Sequence, residues 1–439
     1  MNFNNNLIDS PDENKVYDVI GIGFGPSNIA LAIALREIAP HMNVAFIESK
    51  NHFSWHSGML FENTTMQVSF LKDLVSFRNP RSHFTFINYL YEKKRLAAFS
   101  NKKGFFPSRI EFNDYFKWCA EKFSEQVYYG NKVIRITRRN QIEEGHPLLE
   151  VQLQVGTEEK TILTKALIHS AGLQPVMPEG VIPSEQATHV HQLIEQIKKS
   201  PPTENSHYVV VGGGQSAAEA VEFLLDQHPS IKVTAIVSRF GYTPADDSPF
   251  VNEIFDPNVV DDFYSAPYQV RQNILNLHAS TNYAAVDLDL VESLYRGWYE
   301  EQVTGKHRLS IERLSRFQSV QKQGERLQVT FSHQLNGQLH HFQCDHLVFA
   351  TGFTPRNINH LLDENLKSCL RYEEGLPMLS RHYQLLCHEE PAPLLYSVGI
   401  SENTHGLTAT LISNMAIRAG EIVEDLLAEF SGRHYDQAV

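Results

Sequence analysis

A buried strand that runs into a glycine turn and then a helix occurs twice in this chain, and little else constrains its fold as tightly. In residues 16–35, Val19, Ile20 and Ile22 form a β-branched run suited to a strand buried on both faces. Gly21, Gly23 and Gly25 then allow a sharp turn and close approach of a ligand. A helix is expected from Asn28, in a stretch rich in Ala, Leu and Ile. A helix start after such a turn offers free N–H groups to a pyrophosphate. The match to G-x-G-x-x-G is imperfect, because Pro26 crowds the turn and the third glycine is missing. In the second copy, residues 207–211 are the strand, Gly212, Gly213 and Gly214 the turn, and residues 215–225 the helix. Here Gly212, Gly214 and Ala217 complete G-x-G-x-x-A.

The next strand after each turn carries the discriminating residue. Residues 43–48 end in Glu48, at the distance where an acid meets a ribose hydroxyl. Residues 232–237 end instead in Ser238 and Arg239. A guanidinium there suits the extra phosphate of NADP. Two such turns in one chain predict a flavin that stays bound and a nicotinamide that exchanges.

The length of 439 residues suits two domains. A net charge of −13 argues against a nucleic-acid surface. No apolar run reaches the roughly 18–20 residues of a membrane span. The polar first fifteen residues read as a loose tail without signal-peptide features, so a cytoplasmic protein is expected. The four cysteines form no C-x-x-C, which leaves out a redox dithiol or zinc ribbon. His340 and His341 lack ligand spacing, and no metal centre is expected.

The expected architecture is α/β, with two Rossmann-like dinucleotide domains and an inserted substrate region. Residues 1–15 form the tail, 16–190 with 340–439 the FAD domain, and 204–339 the NADPH domain. Residues 241–300 are turn-rich and polar and are assigned as substrate loops. Residues 52–80 lack periodicity and are read as loops shaping the site. Helices are expected over 84–96, 110–123 and 410–430. A small antiparallel layer is expected over 128–137 and 148–155, a linker over 192–205, and strands over 166–172, 327–331, 342–350 and 396–400.

Ordered motifs now identify a resemblance. They are G-F-G-P-S-N at 23–28, W-H at Trp55 and His56, M-Q-V-S-F-L-K-D-L-V-S at 66–76 and G-G-G-Q-S-A-A-E at 212–219. D-D-S-P-F-V-N-E at 246–253, T-N-Y at 281–283, A-T-G-F at 350–353 and T-H-G-L at 404–407 complete the set. Together they resemble the flavin-dependent N-hydroxylating monooxygenases, the ornithine and lysine N-hydroxylases of hydroxamate siderophore synthesis. Pro26 belongs to that pattern. The resemblance implies NADPH reducing FAD, and transfer of one atom of O2 to a neutral primary amine. It implies that Gln67 stands beside the flavin and, with Asn282, contributes to catalysis. Lys72, Asn252 and Asn282 are implied as substrate contacts, Lys72 pairing with a carboxylate. The cofactor contacts implied are Gly21, Gly23, Gly25, Pro26, Asn28, Glu48, Trp55, His56, Gln67, Gly212, Gly214, Gln215, Ser216, Arg239, Thr351, Gly352, Thr404 and Leu407. A homotetramer is implied as well.

One departure concerns the amine. Ornithine enzymes of this family usually read Ser-Asp-Thr-Leu after T-H-G-L, whereas this chain reads Thr408, Ala409, Thr410 and Leu411. Losing that acid opens L-lysine, histamine or a diamine as alternatives to ornithine. Lys72 argues for a carboxylated substrate, because an unpaired lysine in a pocket is costly. The F-x-G-x-x-x-H-x-x-x-W pattern of Baeyer–Villiger enzymes is absent, and the missing C-x-x-C argues against a disulfide reductase. A non-catalytic nucleotide sensor would not need residues 241–300.

Overall fold

The computed structural model describes residues 9–246, 248–278 and 285–432. The strand Val16–Ile22 lies centrally in a seven-stranded sheet. It pairs in parallel with Val44–Glu48 on one side and Glu158–His169 on the other. Burial on both faces accounts for its β-branched composition. The helix that follows is Pro26–Ile38. It starts two residues before the expected position, because Pro26 has the φ of a first helical residue and needs no donor. Every residue from Asn28 to Leu35 is buried. The sheet covers one side of this helix and the Met415–Phe430 helix packs along another.

Glu158–His169 serves two partners in turn. Its first half pairs antiparallel with His146–Val155, which pairs with Asn131–Glu143. Its second half pairs in parallel with Leu394–Ser397. The expected antiparallel layer is therefore an extension of the first sheet. The last strand lies two residues earlier than expected, and the final helix begins at Met415 after 3-10 turns at Leu407–Thr410 and Ile412–Asn414. The expected helix over 84–96 breaks at Lys94 (φ 57°) into Phe86–Glu92 and Leu96–Asn101. The expected linker over 192–205 contains the helix Leu193–Lys199.

The second sheet is wholly parallel, in the order Leu309–Glu312, Lys232–Ile236, His207–Val211, His346–Phe349, Ala187–His189. A three-stranded antiparallel sheet, Ser315–Gln323, Arg326–His333 and Leu339–Cys344, packs Val329 and Phe331 against Val209 and Phe349. This corrects two expected boundaries. Ala187–His189 and His346–Phe349 hydrogen-bond into the second sheet, so residue 190 and residue 340 do not divide the units. The chain crosses between the sheets at Leu173–Pro175 and Phe353–Pro355, which pair antiparallel as a two-stranded ribbon.

Residues 241–300 are more helical than their turn-rich composition suggests. Leu288–Thr304 packs Leu290 and Leu294 against Val221 and Leu224 of the second unit. Val259–Ser265 and Tyr268–Leu277 instead reach the first unit, where Phe263 and Leu275 pack with Leu407. Among the described residues, no helix is long and apolar enough to cross a membrane.

Candidate active site between two glycine turns

Gly21, the last residue but one of the first strand, lies beside Phe46, and Gly23 makes the turn at φ +84°. A Cβ on Gly23 would lie 2.7 Å from the Ser170 carbonyl, so no side chain is tolerated there. Gly25 occupies the helix N-cap, where a Cβ would meet nothing within 4 Å. The helix start has no side-chain cap and no acid in its first turn. Open space before uncapped N–H groups fits a dinucleotide pyrophosphate. Pro26 is the first helical residue. Asn28 was expected among the cofactor contacts, but its side chain is fully buried behind the turn. Its Nδ2 donates to the Ile22 carbonyl at 3.1 Å and the Gly23 carbonyl at 2.6 Å. It therefore shapes the cradle from beneath. Glu48 stands at the turn's edge, its carboxylate accepting from the N–H of Phe24 at 2.8 Å and of Lys50 at 2.8 Å.

The second turn repeats this construction more openly. Gly212 has φ +149°, and a Cβ there would lie 2.4 Å from the Ala350 carbonyl. Gly214 is the uncapped N-cap of Gln215–Gln227, again with no acid in the first turn. Gln215 and Ser216 are its first two residues. Arg239 is exposed just beyond Lys232–Ile236, and its carbonyl accepts from the Leu314 N–H at 2.9 Å. Arg313, which sequence reasoning missed, sits beside it with its guanidinium 5.5 Å from the Phe240 ring. Ser170 and Ala350, the residues behind the two turns, lead directly into the paired ribbon. Both cradles thus open beside one hinge.

The W-H and M-Q-V-S-F-L-K-D segments line the seam between the units. Trp55 lies edge-on to Phe116 at 5.0 Å and to His56 at 4.6 Å. The His56 ring opens to the cleft, yet the surrounding protein and then Arg109 pull its pKa down to about 4, so it is neutral. Gly58 in the turn Ser57–Met59 presses on the second unit, where a Cβ would lie 1.8 Å from the His191 carbonyl. Gln67 is exposed and donates from Nε2 to Asp287 Oδ1 at 2.9 Å. Gln215 Nε2 donates to the other oxygen of Asp287 at 3.0 Å. Arg109 and Glu219 join the units by two bonds of 2.7 Å, buried to 13% and 3% side-chain exposure. Burial raises the Asp287 pKa, while the bonds from Gln67 and Gln215 oppose the rise.

Lys72 is half-buried, and no carboxylate among the described residues pairs with it. Its neighbour Asp73 fixes the loop. That carboxylate is buried and accepts from the N–H groups of Val75, Ser76 and Phe86 and from the Ser76 hydroxyl. Asn252 ends the short helix Pro249–Asn252 and is half-buried. Asn282, with the rest of T-N-Y, lies outside the described residues.

Four residues expected as cofactor contacts, Thr351, Gly352, Thr404 and Leu407, also make contacts within the chain. The Thr351 hydroxyl donates to the Val176 carbonyl at 2.5 Å, on the hinge, and the Gly352 carbonyl lies 3.0 Å from His189 Nε2. His405 is buried and its pKa falls to about 3, so its ring is neutral. Its Nε2–H faces the Arg381 carbonyl at 3.0 Å, which leaves Nδ1 to accept the Thr404 hydroxyl at 2.7 Å. Leu407 is buried against Phe263 and Leu275 and lines an apolar cavity of about 120 Å³ with Ile254 and Ile274. Ala409 is buried, and its carbonyl accepts from Arg418, whose other amino group lies 3.5 Å from Ser27 Oγ. The departure from the family pattern thus sits beside a buried guanidinium and the first turn of the first helix.

Asp287, Arg109, Glu219 and Asp73 were not singled out from the sequence. Asp287 had a weak signal, standing four residues after the T-N-Y motif. Asp73 and Glu219 lay within quoted motifs without being picked out, and Arg109 lay in none.

Residues 15–355 match the family model described as L-lysine 6-monooxygenase/L-ornithine 5-monooxygenase. The chain is 36% identical over 415 residues to L-ornithine N(5)-monooxygenase of Pseudomonas aeruginosa, covering 93% of each. Among solved structures, the ornithine N-hydroxylase of Kutzneria sp. 744 with reduced FAD, NADP+ and L-ornithine superposes with TM-score 0.90 at 36% identity. That match covers 94% of this chain and 99% of the other. L-lysine 6-monooxygenase of Pseudomonas syringae follows at TM-score 0.79 and 27% identity, covering 94% and 99%.

Proposed function

This chain belongs to the L-lysine 6-monooxygenase/L-ornithine 5-monooxygenase family and is an FAD- and NADPH-dependent N-monooxygenase, and from that premise we propose that it hydroxylates the side-chain amine of L-ornithine. The observation that carries this choice is Lys72. It is a half-buried cation without a carboxylate partner among the described residues, on the loop that also presents Gln67. A substrate α-carboxylate would complete it, which a diamine or histamine lacks. Ornithine is favoured over lysine by the higher identity to ornithine enzymes, 36% against 27% for the lysine enzyme. Ala409 does not oppose this reading, because its carbonyl is taken by the buried Arg418 guanidinium.

When bound, FAD takes a hydride from NADPH and then supplies one atom of O2. The chain's residues do the rest. The first cradle holds the pyrophosphate on the N–H groups after Gly25, with Glu48 placed for a ribose. The second cradle receives the nicotinamide dinucleotide, with Arg239 and Arg313 on its 2′-phosphate. Lys72 and Asn252 orient ornithine, and Gln67 faces its amine. The amine must be neutral to attack, since an ammonium has no lone pair. The neutral His56 adds no charge to the seam, and exclusion of water favours the uncharged amine. The domain roles follow: the first sheet and its C-terminal helix for FAD, the second for NADPH. We further propose a role in hydroxamate siderophore biosynthesis, which consumes such a hydroxylamine, a cytoplasmic location and a homotetrameric assembly.

The test is NADPH oxidation with ornithine, lysine, putrescine and histamine, scored for hydroxylamine. Ornithine should give the highest kcat/KM. Lys72→Ala should raise the KM for ornithine roughly tenfold or more, the scale of a lost charged contact, and leave putrescine unaffected. Putrescine or histamine outperforming ornithine would overturn the assignment.

A further inference from the structure

Asp287 stands where a helix-starting aspartate ordinarily caps its own helix. Its carboxylate makes no such bond to Leu288–Thr304. Both oxygens are taken by carboxamides from other parts of the chain, Oδ1 by Gln67 and Oδ2 by Gln215. The Asp287 N–H in turn donates to Gln215 Oε1 at 2.8 Å, so these two residues clasp each other at two points. Gln215 also donates to Glu219 Oε1 at 3.0 Å, and Glu219 holds Arg109. The contacts run without a break from Gln67 to the first residue of the second glycine-turn helix.

The donors fix a direction. An ionised carboxylate has no hydrogen to give, so it binds an amide by its NH2 end. Gln67 is therefore held with Nε2 on Asp287 and Oε1 turned away. We propose that Asp287 is a positioning residue: it sets which end of the Gln67 carboxamide faces the reacting amine and ties that setting to the nicotinamide cradle through Gln215. This rests on the functional reading above. The consequence falls on the fate of oxygen. The coupled reaction is NADPH + H+ + O2 + RNH2 giving NADP+ + RNHOH + H2O. The uncoupled one is NADPH + H+ + O2 giving NADP+ + H2O2. A misdirected Gln67 shifts turnover from the first to the second.

Asp287→Asn keeps the shape but replaces one acceptor oxygen by an amino group, so one carboxamide must turn over. At saturating NADPH, the rate of NADPH oxidation should fall less than hydroxylamine formation. Hydroxylamine formed per NADPH should fall roughly fivefold or more, the scale of one hydrogen bond to a charged acceptor, with peroxide making up the difference. Asp287→Glu keeps both acceptor oxygens on a longer arm and should be intermediate. In the flavin-free protein, amide hydrogen exchange around 64–70 and 285–291 should quicken in Asp287→Asn. Unchanged coupling in Asp287→Asn, with the wild type active on ornithine, overturns this proposal alone. So does a proportional fall in both rates, or unchanged exchange. A wild type that oxidises NADPH but hydroxylates no amine overturns the functional reading and this proposal with it.

Discussion

The two glycine turns begin alike and end differently. The first lies in the middle of a seven-stranded sheet, and its helix is buried along eight consecutive residues under the Met415–Phe430 helix. Its turn is braced from below by Asn28 and at its edge by Glu48. The second helix buries only Ala217–Val221 and Leu224, and the strand after it leads to the exposed Arg239. Where the first cradle is held by internal bonds, the second is held across the seam by Gln215, Glu219, Asp287 and Arg109. A cradle fixed within its own core suits a resident cofactor. A cradle fixed through an interface suits one that exchanges, because its ligand can be sensed by the other unit.

The strongest break of this contrast is a methyl group in each turn. Gly23→Ala forces a Cβ on to the Ser170 carbonyl at a φ costly to any side chain, by about 1–3 kcal/mol before the clash. It should purify without flavin absorbance. Gly212→Ala should keep flavin and lose NADPH binding, as titration of the flavin-loaded protein would reveal. Loss of flavin from both variants would erase the distinction between the cradles.

Glu219→Gln comes next. It removes one partner of a buried ion pair, at a cost of about 3 kcal/mol. A denaturant melt should show that loss, and NADPH affinity should fall with it while flavin content holds. Arg239→Ala is smaller. It should weaken NADPH binding by about 1.5 kcal/mol, roughly tenfold, and leave NADH nearly unchanged. Equal losses for both nucleotides would remove the phosphate role.

The smallest effect belongs to the helix that covers the first unit. His382 lies 3.1 Å from Asp425, and that hydrogen bond raises its pKa against the opposing effect of burial. Its contribution is fully present below the ordinary histidine pKa of about 6.5 and is lost as pH rises through the raised value. Thermal melts should show this contribution declining as pH rises above about 6.5, with a shallower decline in His382→Asn.

The turns were legible in the sequence because their signal is local: a β-branched run, glycines and an Ala-rich helix within twenty residues. Pro26 even marked the helix start, although the helix was expected at Asn28. The strands Ala187–His189 and His346–Phe349 were misassigned because each is three or four residues long and takes its identity from distant partners. Residues 241–300 misled because Pro, Asp and Asn at helix starts resemble turns, while the helices between are mostly short. At the site, Gln67, Lys72 and Gln215 were named from motifs. Their connections were invisible: Gln67 meets Asp287 across 220 positions, and Arg109 meets Glu219 across 110. No periodicity encodes a bond of that span.

The contact at Gly58 has a consequence for how this enzyme can change over time. With the His191 carbonyl 1.8 Å from where a Cβ would stand, the two units meet there with room for a hydrogen atom and nothing larger. Any substitution at this position must separate them before it can be accommodated. Sequence drift in the Ser57–Met59 turn is thereby coupled to the spacing of the two nucleotide pockets, and a lineage that altered this glycine would have to rebuild the seam at the same time.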